Sequence, residues 1–275
     1  MEITMTNSTL PSPGFGTFRL KDQTVRDAVA NALDLGYRHI DTAQIYKNEA
    51  DVGQVIADSG IARDDIFLTT KVWFDNLDKT EFRPSVEQSL SKLKTSRVDL
   101  LLIHWPSPDY EVPMETYLNE LRAMQDEGLT RHIGVSNFTI SQLNEAIRVL
   151  GEGVLLTNQI EVHPFLPNNA VVDHCKANNI AVTGYMPLAV GAVSDDPVLQ
   201  EIALEKGVTA AQVALAWINQ RDIVTIPSST SREHMLSNLE AFKLSLTDEE
   251  MDRISKLGRG ERIANPDFAP EWDPA

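Results

Sequence analysis

Two hydrophobic rhythms alternate along most of this chain. Short, nearly unbroken apolar runs take turns with longer stretches whose apolar residues recur every three or four positions. The clearest run is 98–103, Val-Asp-Leu-Leu-Leu-Ile, as expected of a strand buried on both faces. The clearest helical stretch puts Val25, Ala28, Val29, Ala32 and Leu33 on one face, with Gly36 placed as a C-cap. Read this way, the chain predicts strands at 14–18, 37–41, 66–72, 98–103, 131–135, 155–160, 180–184 and 223–226. Further helices are predicted at 49–59, at 84–93 with Pro84 in the first turn, and at 114–127, 140–150 and 169–178. Four more follow at 197–206, 210–220, 234–242 and 248–257. Residues 1–13 are polar and weakly patterned, an extended pair or a frayed end.

Eight strands, each followed by helix, imply parallel pairing through right-handed crossovers. The expected fold is therefore α/β, a closed (β/α)8 TIM barrel forming a single domain over residues 1–275, with extra helices. An open, doubly wound sheet is the alternative. Against it, no Gly-x-Gly-x-x-Gly follows the first strand. The Pro-rich tail from Asn265, which carries Phe268 and Trp272, is too short for a domain. It is expected as a C-terminal loop over the site.

The chain has 275 residues, 42% of them hydrophobic and 23% charged, within the ordinary globular range. Its net charge of -16 argues against nucleic acid and anionic membrane as partners, since both select a basic surface. It also means that an anionic ligand needs a local cationic patch. Cys175 is alone, so no intrachain disulfide forms. His39, His132, His163, His174 and His234 lack metal-ligand spacing, and no metal is expected. The N-terminus shows no secretory pattern, and no apolar stretch is long enough to span a bilayer. A cytoplasmic, monomeric protein is expected.

In such a barrel, chemistry sits at the C-terminal ends of the strands. The second strand ends on Asp41, and its loop carries Tyr46; the third ends near Lys71, and His104 follows the fourth. Taken singly, these have ordinary uses: a cap or ion pair, packing, a surface lysine, a core histidine. Together they suit the reduction of a carbonyl. Hydride adds at carbon, and the oxygen must receive a proton. Tyrosine, with a free pKa of about 10, is a poor acid-base group at neutral pH. A nearby Lys⁺ would lower that value. Asp41 would hold Lys71, and His104 would orient the substrate oxygen.

The later strand ends suggest a cofactor. Ser136, Asn137 and Gln159 offer groups for a carboxamide, and Tyr185 offers a ring face for stacking. Pro227, Ser228, Ser229, Thr230 and Arg232 read as a phosphate loop with one cation. Phe18, Trp73, Trp105 and Trp272 are the expected walls of a largely apolar substrate pocket.

The stretch from Gly36-Tyr37-Arg38 through Asp41-Thr42-Ala43 to Glu49 and Gly53 resembles the first signature of the aldo-keto reductases. The resemblance runs nearly the whole chain. It is strongest to the bacterial 2,5-diketo-D-gluconate reductases of the B type, through Thr42-Ala43-Gln44-Ile45-Tyr46, the 226–230 loop and the ending Ala269-Pro270-Glu271-Trp272-Asp273. It implies reduction of aldehydes, ketones and α-dicarbonyls such as methylglyoxal with NADPH, NADH being the alternative cofactor. It implies Asp41, Tyr46, Lys71 and His104 as the catalytic tetrad. It places Ser136, Asn137, Gln159 and Tyr185 at the nicotinamide, and the 227–232 loop and Asn238 at the adenosine end. The chain departs from the family's pattern there. Ser228 stands where a lysine is usual, and His234 where an arginine is usual; a glutamate is usual near Ser237. Arg232 is left as the strong cation for a 2′-phosphate.

Two other readings fit parts of the set. Lys71 as a Schiff-base nucleophile would make a lyase, which leaves Ser136, Asn137 and Gln159 without a use. A non-catalytic relative that only binds cofactor would not need the full tetrad.

Overall fold

The computed structural model describes residues 10–274. Eight strands form one sheet in the order β1 to β8, every neighbouring pair parallel. They are β1 (Phe15–Gly16), β2 (His39–Asp41), β3 (Phe67–Val72), β4 (Val98–Ile103), β5 (Thr130–Ser136), β6 (Leu155–Glu161), β7 (Ala181–Tyr185) and β8 (Ile223–Thr225). The sheet closes on itself: Gly14 N donates to Thr225 O at 2.8 Å, and Gly16 N to Pro227 O at 3.2 Å. Only glycine fits this seam. A Cβ on Gly16 would lie 2.7 Å from Ile226 O, and one on Gly14 would strike the His39 ring. The architecture is the expected (β/α)8 barrel.

The helices are α1 (Asp22–Leu35), α2 (Glu49–Asp58), α3 (Lys79–Lys92), α4 (Met114–Asp126), α5 (Ile140–Leu150), α6 (Asn169–Ala177), α7 (Pro197–Lys206), α8 (Ala210–Gln220), α9 (Arg232–Glu240) and α10 (Asp248–Ser255). The five apolar residues expected on one face of α1 are its buried ones, and Gly36 ends it at φ 104. Capping boxes at Thr139/Gln142, Thr209/Gln212 and Thr247/Glu250 start α5, α8 and α10. The main apolar core lies between sheet and helices.

Three expectations change. The α3 helix starts at Lys79 instead of Pro84, because the Asp78 carboxylate accepts from Thr80 N and nucleates an earlier turn. Pro84 therefore sits inside the helix. Strands β1 and β2 are shorter than the 14–18 and 37–41 expected. Of the extended pair or frayed end read at 1–13, residues 1–9 lie outside the described residues, and residues 10–13 are packed. Leu10 is buried with Leu100, Leu102 and Val224, and Pro11 O meets His39 Nδ1 at 3.0 Å. No described helix is long and apolar enough to cross a membrane.

Candidate active site

A cavity of about 760 Å³ opens at the C-terminal ends of the strands. Asp41, Tyr46 and His104 line it, with Ser136, Asn137, Gln159 and Tyr185 on one side. Phe18, Trp73 and Trp105 supply aromatic wall, and Pro227 and Ser228 reach it from the loop after β8.

Lys71 lies behind the cavity wall, fully buried. Its ammonium donates to Asp41 Oδ1 at 2.5 Å, to Thr42 O at 2.9 Å and to the Tyr46 hydroxyl at 3.4 Å. All three N–H bonds are thus aimed at oxygens. The loop that carries Tyr46 is held by its own side chains. Gln44–Tyr46 is a single 3-10 turn closed by Lys47 at φ 56. Gln44 Oε1 accepts from Trp73 N and from Asn76, both at 2.9 Å. Thr42 donates to Asn48, whose amide donates to Thr17 O and Leu20 O.

His104 continues β4, its N donating to Val72 O at 3.0 Å. Its ring stands edge-on to Tyr46 with centroids 5.5 Å apart, and edge-on to Trp73 at 5.2 Å. Burial, then the Lys71 charge, holds the imidazole well below the ordinary histidine range. It is a neutral ring at physiological pH. Burial lowers Lys71 too, against the opposing pull of Asp41.

Tyr46 departs from expectation. Lysine was expected to pull the phenol pKa down, but burial and the Asp41 charge push it well above the usual value. The physical reason is burial first, since a phenolate there loses its solvation, and the nearby Asp41 charge adds to that cost. The hydroxyl therefore stays protonated.

The remaining polar residues form one chain of hydrogen bonds. Gln159 Nε2 donates to Asp41 Oδ2 at 2.9 Å, and Ser136 Oγ donates to Gln159 O at 2.8 Å. Asn137, at φ 62, donates to His104 O at 3.0 Å and accepts from the Tyr185 hydroxyl at 2.7 Å. Gln159 Oε1 is left as an acceptor on the cavity wall. An amide acceptor there, with the flat Tyr185 ring on the same side, fits a nicotinamide and its carboxamide. Beyond Ser228, α9 opens at Arg232, where Ser231 Oγ accepts from His234 N.

Other expected residues fall outside the cavity wall. Ser229 is engaged with Ser231, and Thr230 and Asn238 do not line the cavity. Arg232 is exposed and turned to α1, where it meets Asp34 at 2.5 Å and Asn31 at 3.2 Å. Trp272 packs edge-on against Trp105 but does not line the cavity, and Phe268 holds the lining position instead. The sequence reading named Phe268 only as part of the tail. Arg19, Ile263, Pro266 and the β7–α7 loop (Met186, Leu188, Val190, Gly191), not named for the site from the sequence, also lie on the cavity wall. The break in periodicity after Tyr185 was the available signal for that loop.

A sequence model of the aldo/keto reductase family matches residues 13–259. The chain belongs to the aldo/keto reductase family. As such it is an oxidoreductase that acts on small carbonyl compounds. It is 52% identical to methylglyoxal reductase DkgB of Yersinia pestis over 265 residues, 96% of this chain and 99% of that one. It is 37% identical to glyoxal reductase of Bacillus subtilis over 263 residues, 94% and 93% of the two chains. Among solved structures, one provisionally named 2,5-diketo-D-gluconic acid reductase B superposes with a TM-score of 0.93 at 44% identity, covering 96% of this chain and 94% of that one. The aldo-keto reductase barrel thus places Asp41, Tyr46, His104, Ser136, Asn137, Gln159 and Tyr185 around one cavity, with Lys71 behind its wall.

Proposed function

We propose that this aldo-keto reductase reduces aldehydes, ketones and α-dicarbonyls to alcohols with NADPH, with Tyr46 as the proton donor. The observation that carries this is the Tyr46 hydroxyl, at the cavity and 3.4 Å from a buried Lys71 that is itself paired with Asp41. The likeness to methylglyoxal and glyoxal reductases supports α-dicarbonyls as substrates, and the likeness to a structure named for 2,5-diketo-D-gluconic acid supports that keto acid. A nicotinamide held by Ser136, Asn137, Gln159 and Tyr185 would supply hydride to the carbonyl carbon. The carbonyl oxygen, held by Tyr46 and His104, gains charge as the bond forms. Tyr46 delivers the proton, and Lys71 stabilises the phenolate left behind. Neutral His104 donates one hydrogen bond to the same oxygen, which fixes the reacting face. Asp41 keeps Lys71 charged and in place. Ser136, Asn137, Gln159 and Tyr185 hold the nicotinamide; the 227–230 loop, Arg232 and Asn238 serve the phosphates and adenosine. We read the protein as a cytoplasmic monomer.

Lys71 as a Schiff-base nucleophile fits poorly. An attacking amine needs a free lone pair, and this one is an ammonium with all three protons engaged. The intact Tyr46–Lys71–Asp41 set likewise argues against a non-catalytic relative. A panel of methylglyoxal, phenylglyoxal, 2,5-diketo-D-gluconate and simple aldehydes, each with NADPH and NADH, tests the proposal. Turnover of the dicarbonyls with NADPH is expected. Tight cofactor binding without turnover of any carbonyl would overturn it.

A further inference from the structure

We propose that Glu161 is a positioning residue that sets substrate selectivity by clamping the C-terminal segment over the mouth of the cavity. The inference rests on the reductase reading above. Glu161 is the last residue of β6 and shares a strand face with Gln159 two positions earlier. Its carboxylate is fully buried. Oε1 accepts from Ile263 N and from His163 Nε2, both at 2.8 Å. Oε2 accepts from Ala264 N at 2.7 Å. A strand-end carboxylate thus bonds two main-chain amides about a hundred residues further along the chain. Charge-assisted bonds of this kind are roughly twice as strong as neutral ones.

The neighbouring contacts reinforce the same junction. The Glu161 carbonyl accepts from Asn168 at 2.7 Å, and Asn168 Oδ1 accepts from Arg262 at 3.1 Å. The residue just before the clamp is therefore tied to it as well. A second anchor lies at the far end of the segment. Asp273 accepts from Ile140 N at 2.8 Å, at the start of α5.

Between the anchors the chain has no helix or strand. Its shape is set by where its ends are held, not by a hydrogen-bond ladder of its own. This stretch presents Asn265, Pro266 and Phe268 to the cavity. The Phe268 ring packs edge-on against Trp73 at 5.7 Å and Trp105 at 5.4 Å. Glu161 thereby fixes the height of an aromatic wall that it does not touch. Large substituents on the substrate carbonyl meet that wall; a methyl group does so less.

Glu161→Gln keeps the volume but puts an NH2 where one oxygen accepted, so an amide of the segment loses its partner. With phenylglyoxal, KM should rise about tenfold while kcat stays within about twofold. With methylglyoxal, KM should change by less than about threefold. Cofactor affinity, read by fluorescence quenching, should not move. Phe268→Ala should give the same pattern. The double variant should show no further rise in KM, because both changes remove one wall. Multiplying KM effects in the double variant would overturn the clamp. So would a fall in kcat shared equally by both substrates. A wild type that reduces neither dicarbonyl would instead overturn the reductase reading. Hydrogen exchange on the wild type covers the case of a variant that does not fold. The amides of Ile263 and Ala264 should exchange far more slowly than those of exposed Asp267 and Glu271. Equal rates would mean that the clamp is open in solution.

Discussion

Gln159 and Asp41, on opposite sides of the barrel, are joined by a 2.9 Å hydrogen bond from Nε2 to Oδ2. The other Asp41 oxygen holds Lys71 at 2.5 Å. One carboxylate therefore links the residue proposed to hold the carboxamide with the lysine behind the proposed proton donor. Asp41→Asn can satisfy only one of these donors with its remaining oxygen. The variant should lose turnover and also bind cofactor several-fold more weakly. Kinetics together with fluorescence titration would check this. Loss of turnover with unchanged cofactor affinity would show that the Gln159 bond has no part in binding.

Tyr46→Phe removes the hydroxyl and nothing else. Its turnover should fall by roughly a hundred- to ten-thousand-fold, the usual worth of a general acid. Cofactor binding should persist. Because burial and Asp41 hold the phenol in its protonated form, wild-type reduction should lose no rate to Tyr46 ionisation between pH 6 and 8. Near-normal turnover in the variant would remove Tyr46 from the mechanism.

Lys71→Met tests stability and chemistry together. Met keeps most of the volume but leaves Asp41 as a buried, unpaired charge. Breaking a buried pair in this way costs about 3–5 kcal/mol. Urea unfolding should show a marked loss, and any residual activity should have an altered pH profile. The double change Asp41→Asn with Lys71→Met should recover part of the stability, since no lone charge remains. A double variant no more stable than Lys71→Met would contradict the pairing argument.

What the sequence made legible is what local pattern controls. Asp41, Lys71, His104 and Gln159 each stand at or beside the C-terminal end of a strand, and the barrel brings those ends together. What it concealed depends on contacts distant in sequence. Phe268, not Trp272, lines the cavity because Glu161 and Ile140 fix the path of the tail. Arg232 turns to Asp34, some two hundred residues earlier, which no periodicity announces. The acidity of Tyr46 moves opposite to expectation because burial and the Asp41 charge outweigh the lysine beside it. Pro84 misled locally: it can open a helix, but the Asp78 cap opens this one earlier.

Stability should fall on mild acidification. Burial holds both His39 and His104 below the ordinary histidine range. In the unfolded chain they titrate near 6.5. Below that value the unfolded state binds more protons, so stability is fully present above about pH 6.5 and declines as pH drops toward the folded-state values. Each histidine contributes at most about 1.4 kcal/mol per pH unit. Glu49 acts in the opposite sense. Burial raises its carboxyl against hydrogen bonds from Thr70 and Ser89, so acidification restores some stability. Its effect sets in as pH falls through its raised folded-state value and is complete near 4.3, where an unfolded glutamate titrates, so one glutamate offsets part of what two histidines lose. Urea midpoints should therefore be lower at pH 5.5 than at pH 7.5. An equal or higher midpoint at pH 5.5 would contradict the neutral state of these histidines.

On the proposed reading, the choice between NADPH and NADH turns on Arg232. A 2′-phosphate brings nearly two negative charges to a protein of net charge -16. With serine at 228 and histidine at 234, Arg232 is the guanidinium at the start of α9, where helix amides also favour phosphate. Yet it already meets Asp34 and Asn31 on α1. That pair is exposed, and such pairs are worth only about 0–1 kcal/mol. A phosphate that accepts two charge-assisted bonds from the guanidinium competes well against it. Arg232→Ala should then weaken NADPH binding by roughly 1.5–3 kcal/mol, the range for hydrogen bonds to charged groups, and leave NADH almost unchanged. Asp34→Asn should do the reverse: it frees the guanidinium and tightens NADPH by a few-fold, again with little effect on NADH. Fluorescence titration of both cofactors against the two variants decides the matter. If Asp34→Asn leaves NADPH affinity where it was while Arg232→Ala weakens both cofactors equally, Arg232 serves the loop or the pyrophosphate, and the 2′-phosphate is held by the hydroxyls and helix amides alone.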